Sequence, residues 1–144
     1  MKYSKEFNQY LAGLAVINFK LHNLHWNVVG MQFMHIHKFT EELYDKFFDF
    51  FDEVAEHQKM FDIMPDCKLS DYMAKSNIKE VDPKDFAAKE VLEIVKADLA
   101  ELKKEAVALR KASDEEGYFE AVALFESHID FYNKQIWFIS ATMK

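Results

Sequence analysis

Two acid-bearing pairs, His37/Glu41 and Asp52/Glu56, stand in a segment otherwise rich in aromatic residues, with Tyr44, Phe47, Phe48, Phe50 and Phe51 between them. At about 100° per residue, all four side chains fall within a sector of roughly 100° on one helical face, shared with Tyr44, Phe48 and Ala55. A carboxylate on an apolar face is costly unless a cation or hydrogen bonds compensate it. Glu41 and Asp52 lie about 16 Å apart along a helix, so the two pairs cannot share one ion within a chain. Packing the same face of a second copy antiparallel across a two-fold axis brings His37/Glu41 of one chain to Asp52/Glu56 of the other. That contact is reciprocal and gives two identical sites, with the axis near Phe47 and Phe48. His25 precedes a hairpin turn near Met31 by as many residues as His37 follows it, which places the two histidines at one height. The candidate ligand set is therefore His25, His37 and Glu41 from one subunit, and Asp52 and Glu56 from the other. Mixed imidazole and carboxylate donors suit Fe(II), Mn(II) or Zn(II) and exclude a soft thiolate site. Singly, each residue is ordinary: a histidine on an apolar stripe usually packs, and an acid pair four apart is usually solvated. Agreement in height, face and two-fold geometry raises the metal reading to parity with these.

Long, uninterrupted helices are needed to hold such pairs in place. The 144 residues contain only three glycines and two prolines, which excludes a turn-rich sandwich or barrel. The pattern predicts a first helix over residues 4–29, with Ser4 as N-cap, Gly30 just past its end, and an apolar stripe of Phe7, Leu11, Leu14, Ile17, Leu21, Leu24 and Val28. A second helix is expected over 32–63, stopped before Pro65, and a short one over 69–76 in the connection. A third is expected to start at Asp82-Pro83, with Pro at the first helical position, and to run to 112. A fourth runs from near Gly117 to the end. The fold class is all-α: a four-helix bundle with a short extra helix in its crossover, as one domain over residues 1–144. The second helix is apolar on two sides, which points to burial in its own bundle and again against a partner.

The formal net charge of −7 argues against a dedicated nucleic-acid binder. Only Lys2 and Lys5 are expected to precede the first helix, so clustered cations for phosphate are lacking there. The lone Cys67 makes no internal disulfide, and the apolar run at 11–17 is too short to span a bilayer. A cytoplasmic protein without membrane contact is expected. His22, three residues before His25, is placed to assist metal entry, but it, His35, His57 and His128 are not taken as ligands; Met31, Met34, Met60 and Met64 read as packing groups. Asp114, Glu115 and Glu116 read as an acidic loop, a solvated surface or the lining of an ion route.

The segment His22-Asn23-Leu24-His25-Trp26-Asn27-Val28-Val29-Gly30 resembles the signature of the Dps family, the mini-ferritins. So do His37-Lys38-Phe39-Thr40-Glu41-Glu42-Leu43-Tyr44, Phe51-Asp52-Glu53-Val54-Ala55-Glu56, Leu69-Ser70-Asp71-Tyr72-Met73, Ile78-Lys79-Glu80 and Lys134-Gln135-Ile136-Trp137. The similarity spans the chain and is strongest to the neutrophil-activating branch. It implies a ferritin-like hollow dodecamer that oxidises Fe(II), preferably with hydrogen peroxide, at ferroxidase centres on two-fold interfaces and stores Fe(III) mineral inside. His25, His37, Asp52 and Glu56 would form the catalytic centre, with Glu41 assisting a second iron; the family more often has Asp there. Trp26 would quench radicals. Relatives also usually carry Gly-Gly where this chain has Asp62-Ile63. Alternative roles are nucleoid DNA binding, which the acidic body disfavours, and surface-exposed immune stimulation.

Overall fold

A computed structural model describes residues 3–144. Four long helices, α1 (Ser4–Asn27), α2 (Phe33–Met60), α4 (Ala88–Glu115) and α5 (Phe119–Met143), form the bundle. A short helix α3 (Leu69–Lys75) lies in the crossover and packs on α1. Two-residue strands β1 (Val28–Val29) and β2 (Phe86–Ala87) pair in parallel. The all-α four-helix bundle with an extra helix in the crossover is the fold the sequence pattern predicts.

Each long helix contributes one apolar stripe. On α2, Ile36, Thr40, Leu43, Phe47, Phe50, Val54 and His57 are all buried, alternating steps of four and three as bundle packing requires. The expected α1 stripe is buried throughout. The partners are Val91, Val95, Leu99, Leu102, Ala106 and Leu109 from α4, and Ala121, Phe125, Tyr132 and Ile139 from α5. Phe47 is therefore a core residue, not part of an exposed aromatic cluster. Phe48 faces outward at 60% exposure. The four methionines expected to pack are instead exposed.

Several boundaries differ from the sequence reading. Tyr3, not Ser4, occupies the N-cap of α1, and that helix ends at Asn27 because Val28 and Val29 turn extended to pair with Phe86 and Ala87. Gly30, at φ +107°, then turns the chain toward α2, a conformation that suits glycine. The same pairing explains why Asp82-Pro83 does not start a helix. Pairing with β1 and full burial of Phe86 outweigh a favourable first-turn proline, and α4 begins only at Ala88. Helix α2 stops at Met60. Asp114 and Glu115 are the last residues of α4 and Glu116 caps it, so they form a helix end, not a loop. Asp114 there lies 3.5 Å from Arg110. Lys5 sits inside the first turn of α1, and Lys2 lies outside the described residues. No helix among the described residues is long and apolar enough to cross a membrane.

Candidate metal centre

The α1–α2 hairpin brings His25 and His37 face to face, their rings stacked 3.6 Å apart with planes 13° from parallel. Their hydrogen bonds are reciprocal. His25 Nδ1 donates to the carbonyl of His37 at 2.6 Å, and His37 Nδ1 donates to the carbonyl of His25 at 2.7 Å. A carbonyl oxygen only accepts, so both Nδ1 atoms carry the proton. In each neutral ring the lone pair is then on Nε2, the atom available to a metal. Thr40 Oγ1 lies 3.1 Å from His25 Nδ1 and itself bonds the Ile36 carbonyl at 2.8 Å, which ties the ring to the buried face of α2. Burial, foremost, pushes the His25 imidazolium below the ordinary histidine range and the nearby His37 adds to this; the backbone bond and Glu41 oppose it. The His25 ring is thus biased toward its neutral form.

Around the histidines, Phe33 stacks on His37 and Tyr44 meets His25 edge-on at 5.3 Å. Glu41, one turn after His37, is exposed and lies beside Tyr44, whose phenol is raised by burial and then by the Glu41 charge. Trp26, 68% exposed, stands against His22. His22 itself is engaged elsewhere, its Nδ1 on the Asn18 carbonyl and its ring stacked on Tyr44.

Asp52 and Glu56 occupy the other end of the same α2 face and are both exposed. The carboxyl of Glu56 is raised above its usual range, first by a hydrogen bond with Asp52 and then by the Asp52 charge. Two carboxyls this close are a pair whose mutual repulsion a divalent cation would relieve. Among the described residues, no three His, Cys, Asp or Glu side chains gather into a metal-binding group within one chain. The histidine pair and the carboxylate pair are therefore apart within one chain, at opposite ends of the same α2 face. The apolar surface beside and between them, with Phe19 at 66%, Phe48 at 60% and Leu69 at 67% exposure, is what a second copy would cover.

Sequence reasoning missed Thr40, although a threonine on an otherwise apolar stripe three residues after His37 is the signal. It also assigned His128 no role beyond not being a ligand. This histidine is fully buried and links Tyr10 of α1 to Glu53 of α2.

A ferritin-like domain model matches residues 4–144. The chain is 32% identical over 137 residues to the DNA protection during starvation protein of Helicobacter pylori, covering 94% of this chain and 95% of that one. It superposes on the crystal structure of antigen TpF1 from Treponema pallidum with a TM-score of 0.96 at 28% identity, over 98% of this chain and 90% of the other. Helicobacter cinaedi CAIP gives 0.95 at 33% identity, over 98% and 99%. The names carried by several relatives, DNA protection during starvation protein, overturn the expectation that DNA binding is disfavoured. That expectation weighed the average charge and the lysines ahead of the first helix alone, whereas phosphate contacts can draw on cations anywhere on the surface. The fold, the match along nearly the whole chain and the histidine hairpin agree: this chain belongs to the ferritin-like family, as a mini-ferritin of the Dps group.

Proposed function

We propose that the protein is a ferroxidase that takes up Fe(II), oxidises it at a centre shared by two copies, and stores the Fe(III) within a hollow dodecamer. The observation that carries this is the reciprocal His25/His37 clamp, which leaves two imidazole Nε2 lone pairs side by side on one face. The donors fit iron. Borderline nitrogen ligands from His25 and His37 and hard oxygens from Asp52 and Glu56 of the facing copy match Fe(II) and retain Fe(III), and Glu41 adds an oxygen for a second ion. The placement in the neutrophil-activating branch belongs to the same proposal and is supported by the sequence pattern alone, as is a cytoplasmic location.

Fe(II) is the substrate. Two Fe(II) each give one electron to one hydrogen peroxide, which takes up two protons and leaves as two waters. Pairing the electrons in this way avoids release of a hydroxyl radical. A cation bound at Asp52 and Glu56 favours the ionised form of Glu56, against the hydrogen bond and the charge of the neighbouring Asp52 that raise its carboxyl. Replacing Asp52→Ala together with Glu56→Ala abolishes rapid Fe(II) oxidation, followed by the rise of Fe(III) absorbance, and leaves assembly intact by light scattering. An unchanged rate in that variant would remove these residues from the site.

A further inference from the structure

His22 is fixed in the same way as His25 and His37, yet it lines a different surface. Its Nδ1 donates to the Asn18 carbonyl at 2.7 Å, so in the neutral ring the lone pair lies on Nε2. A stack on Tyr44, 3.8 Å between centroids and 18° from parallel, sets the plane of the ring. Trp26 closes one edge at 5.6 Å. Because Nδ1 turns back to the α1 backbone, Nε2 on the other side of the ring faces away from it. His22 there lines an open cleft of about 560 Å³ between α1 and the extended segment 80–83. Asn23 Nδ2 donates to the Val81 carbonyl at 3.0 Å, and Asn27 Nδ2 to Asn23 Oδ1 at 2.8 Å, which ties that segment to α1.

The segment brings Glu80 and Asp82 to the same cleft. In the sequence Asp82-Pro83 reads as a helix start, but α4 begins only at Ala88, so the Asp82 carboxylate caps nothing. Both carboxylates are exposed, and neither has an ion-pair or hydrogen-bond partner among the described residues. Lys20 also reaches the cleft, but its side chain is 5% exposed and its charge is matched by Asp98 at 2.8 Å. Glu80 and Asp82 therefore set the sign of the cleft, and a concave surface of one sign raises the local concentration of counter-ions.

We infer that His22, together with Glu80 and Asp82, is an uptake site for hydrated divalent cations, where Fe(II) is held before it reaches the histidine hairpin. The identity of the cargo rests on the ferroxidase reading; the cation site does not. These three side chains do not gather into a closed metal-binding group, and that spacing suits the role. One imidazole nitrogen bonds the ion directly, and the carboxylates accept hydrogen bonds from the waters it keeps. An ion held by a single protein bond exchanges readily and can be passed on. Tyr44 joins the two places. Its ring carries His22 on one face and meets His25 edge-on at 5.3 Å, so one aromatic ring separates the uptake site from the hairpin.

Packing accounts for the Tyr44 stack and the Asn18 bond alike, so the test reads the remaining nitrogen. The probe is Co(II), which is close to Fe(II) in ligand preference. Crystals of the assembled protein are soaked with near-stoichiometric Co(II), and anomalous differences are collected at its absorption edge. A peak is expected at His22 Nε2, and on the ferroxidase reading a second at the hairpin. The cleft peak persists in the His25→Ala/His37→Ala protein and weakens in the Glu80→Gln/Asp82→Asn protein. His22→Phe keeps a ring on Tyr44 and removes the peak. In stopped-flow Fe(II) oxidation that variant raises KM about tenfold and lowers kcat by less. Co(II) at His22 but not at the hairpin supports the cation site and counts against the ferroxidase reading. No Co(II) at His22, a cleft peak that survives His22→Phe, or a fall in kcat at unaltered KM overturns the uptake site. The wild-type map and the exposed carboxylate pair decide the question even where His22→Phe assembles poorly.

Discussion

Thr40 is a buried hydroxyl placed to orient a candidate ligand. Its oxygen anchors on the Ile36 carbonyl and faces the protonated nitrogen of His25, holding the tautomer and ring plane that expose Nε2. Partners of this kind typically change metal affinity or activity by about ten- to a hundredfold when removed. Thr40→Val keeps the shape, so helicity and assembly are expected to persist while the Fe(II) oxidation rate falls about tenfold, measured by stopped flow. Glu105 illustrates a different kind of buried polar group. Burial, then Glu101, push its carboxyl up to about 7, against a hydrogen bond from Asn77 and the Lys104 charge, and its Oε2 has no hydrogen-bond partner. As pH rises past the unfolded value near ~4.3, the unfolded chain releases a proton that the folded chain keeps, so stability falls until Glu105 ionises in the fold. Its contribution is thus complete below the unfolded value and lost as pH rises through about 7. Glu105→Gln removes this dependence. The variant is expected to melt above wild type near pH ~8, by an amount on the order of 2 kcal/mol, and to converge with it near pH ~4.

At the scale of elements, α2 and α4 end in the same way with different residues. The amides of Asp62 and Ile63 bond the carbonyls of Lys59 and Gln58, and those of Gly117 and Tyr118 bond Asp114 and Ser113. Both are closing turns that require a left-handed residue, at φ +58° for Asp62 and +77° for Gly117. Glycine takes that conformation freely, whereas an aspartate pays for its Cβ. Asp62→Gly is therefore expected to stabilise the fold by about 0.5–1 kcal/mol, and Gly117→Ala to cost about 1 kcal/mol, both read by chemical denaturation. The helices themselves were readable in the sequence because their stripes repeat every three or four residues, a local property. The β1–β2 pairing was not, because Val28 and Phe86 are far apart in the chain and a two-residue bridge leaves no periodic trace. Hence the sequence reading starts a helix at Pro83, where the chain stays extended. The candidate site divides along the same line. The shared height of His25 and His37 follows from hairpin symmetry, but their crossed hydrogen bonds to each other's carbonyls depend on how closely α1 and α2 approach.

For the whole molecule, the proposed reading with two separate half-sites would make oligomerisation a condition of activity and not only of stability. His37, with His25 of α1 stacked on it, sits at one end of the α2 face and Asp52 and Glu56 at the other, about 16 Å apart along the helix from Glu41 to Asp52, and no single chain closes a metal-binding group among the described residues. A two-fold contact through the exposed Phe48 region pairs opposite ends. Each dimer then carries two centres, and each centre draws on both chains. This geometry predicts complementation between inactive variants. Subunits with His25→Ala and His37→Ala lack one half-site, and subunits with Asp52→Ala and Glu56→Ala lack the other, so neither assembly oxidises Fe(II) rapidly by itself. In a hybrid dimer one centre receives both defects and the other receives neither. Equal mixing and reassembly makes about half of the dimers hybrid, each with one of two centres intact, so about a quarter of wild-type activity returns. A centre contained in one chain gives no recovery on mixing, because every subunit then carries its own defect. Reassembly from denatured subunits, with the oxidation rate measured against mixing ratio, separates these outcomes, and the recovered rate peaks at equal proportions only if the centre is shared.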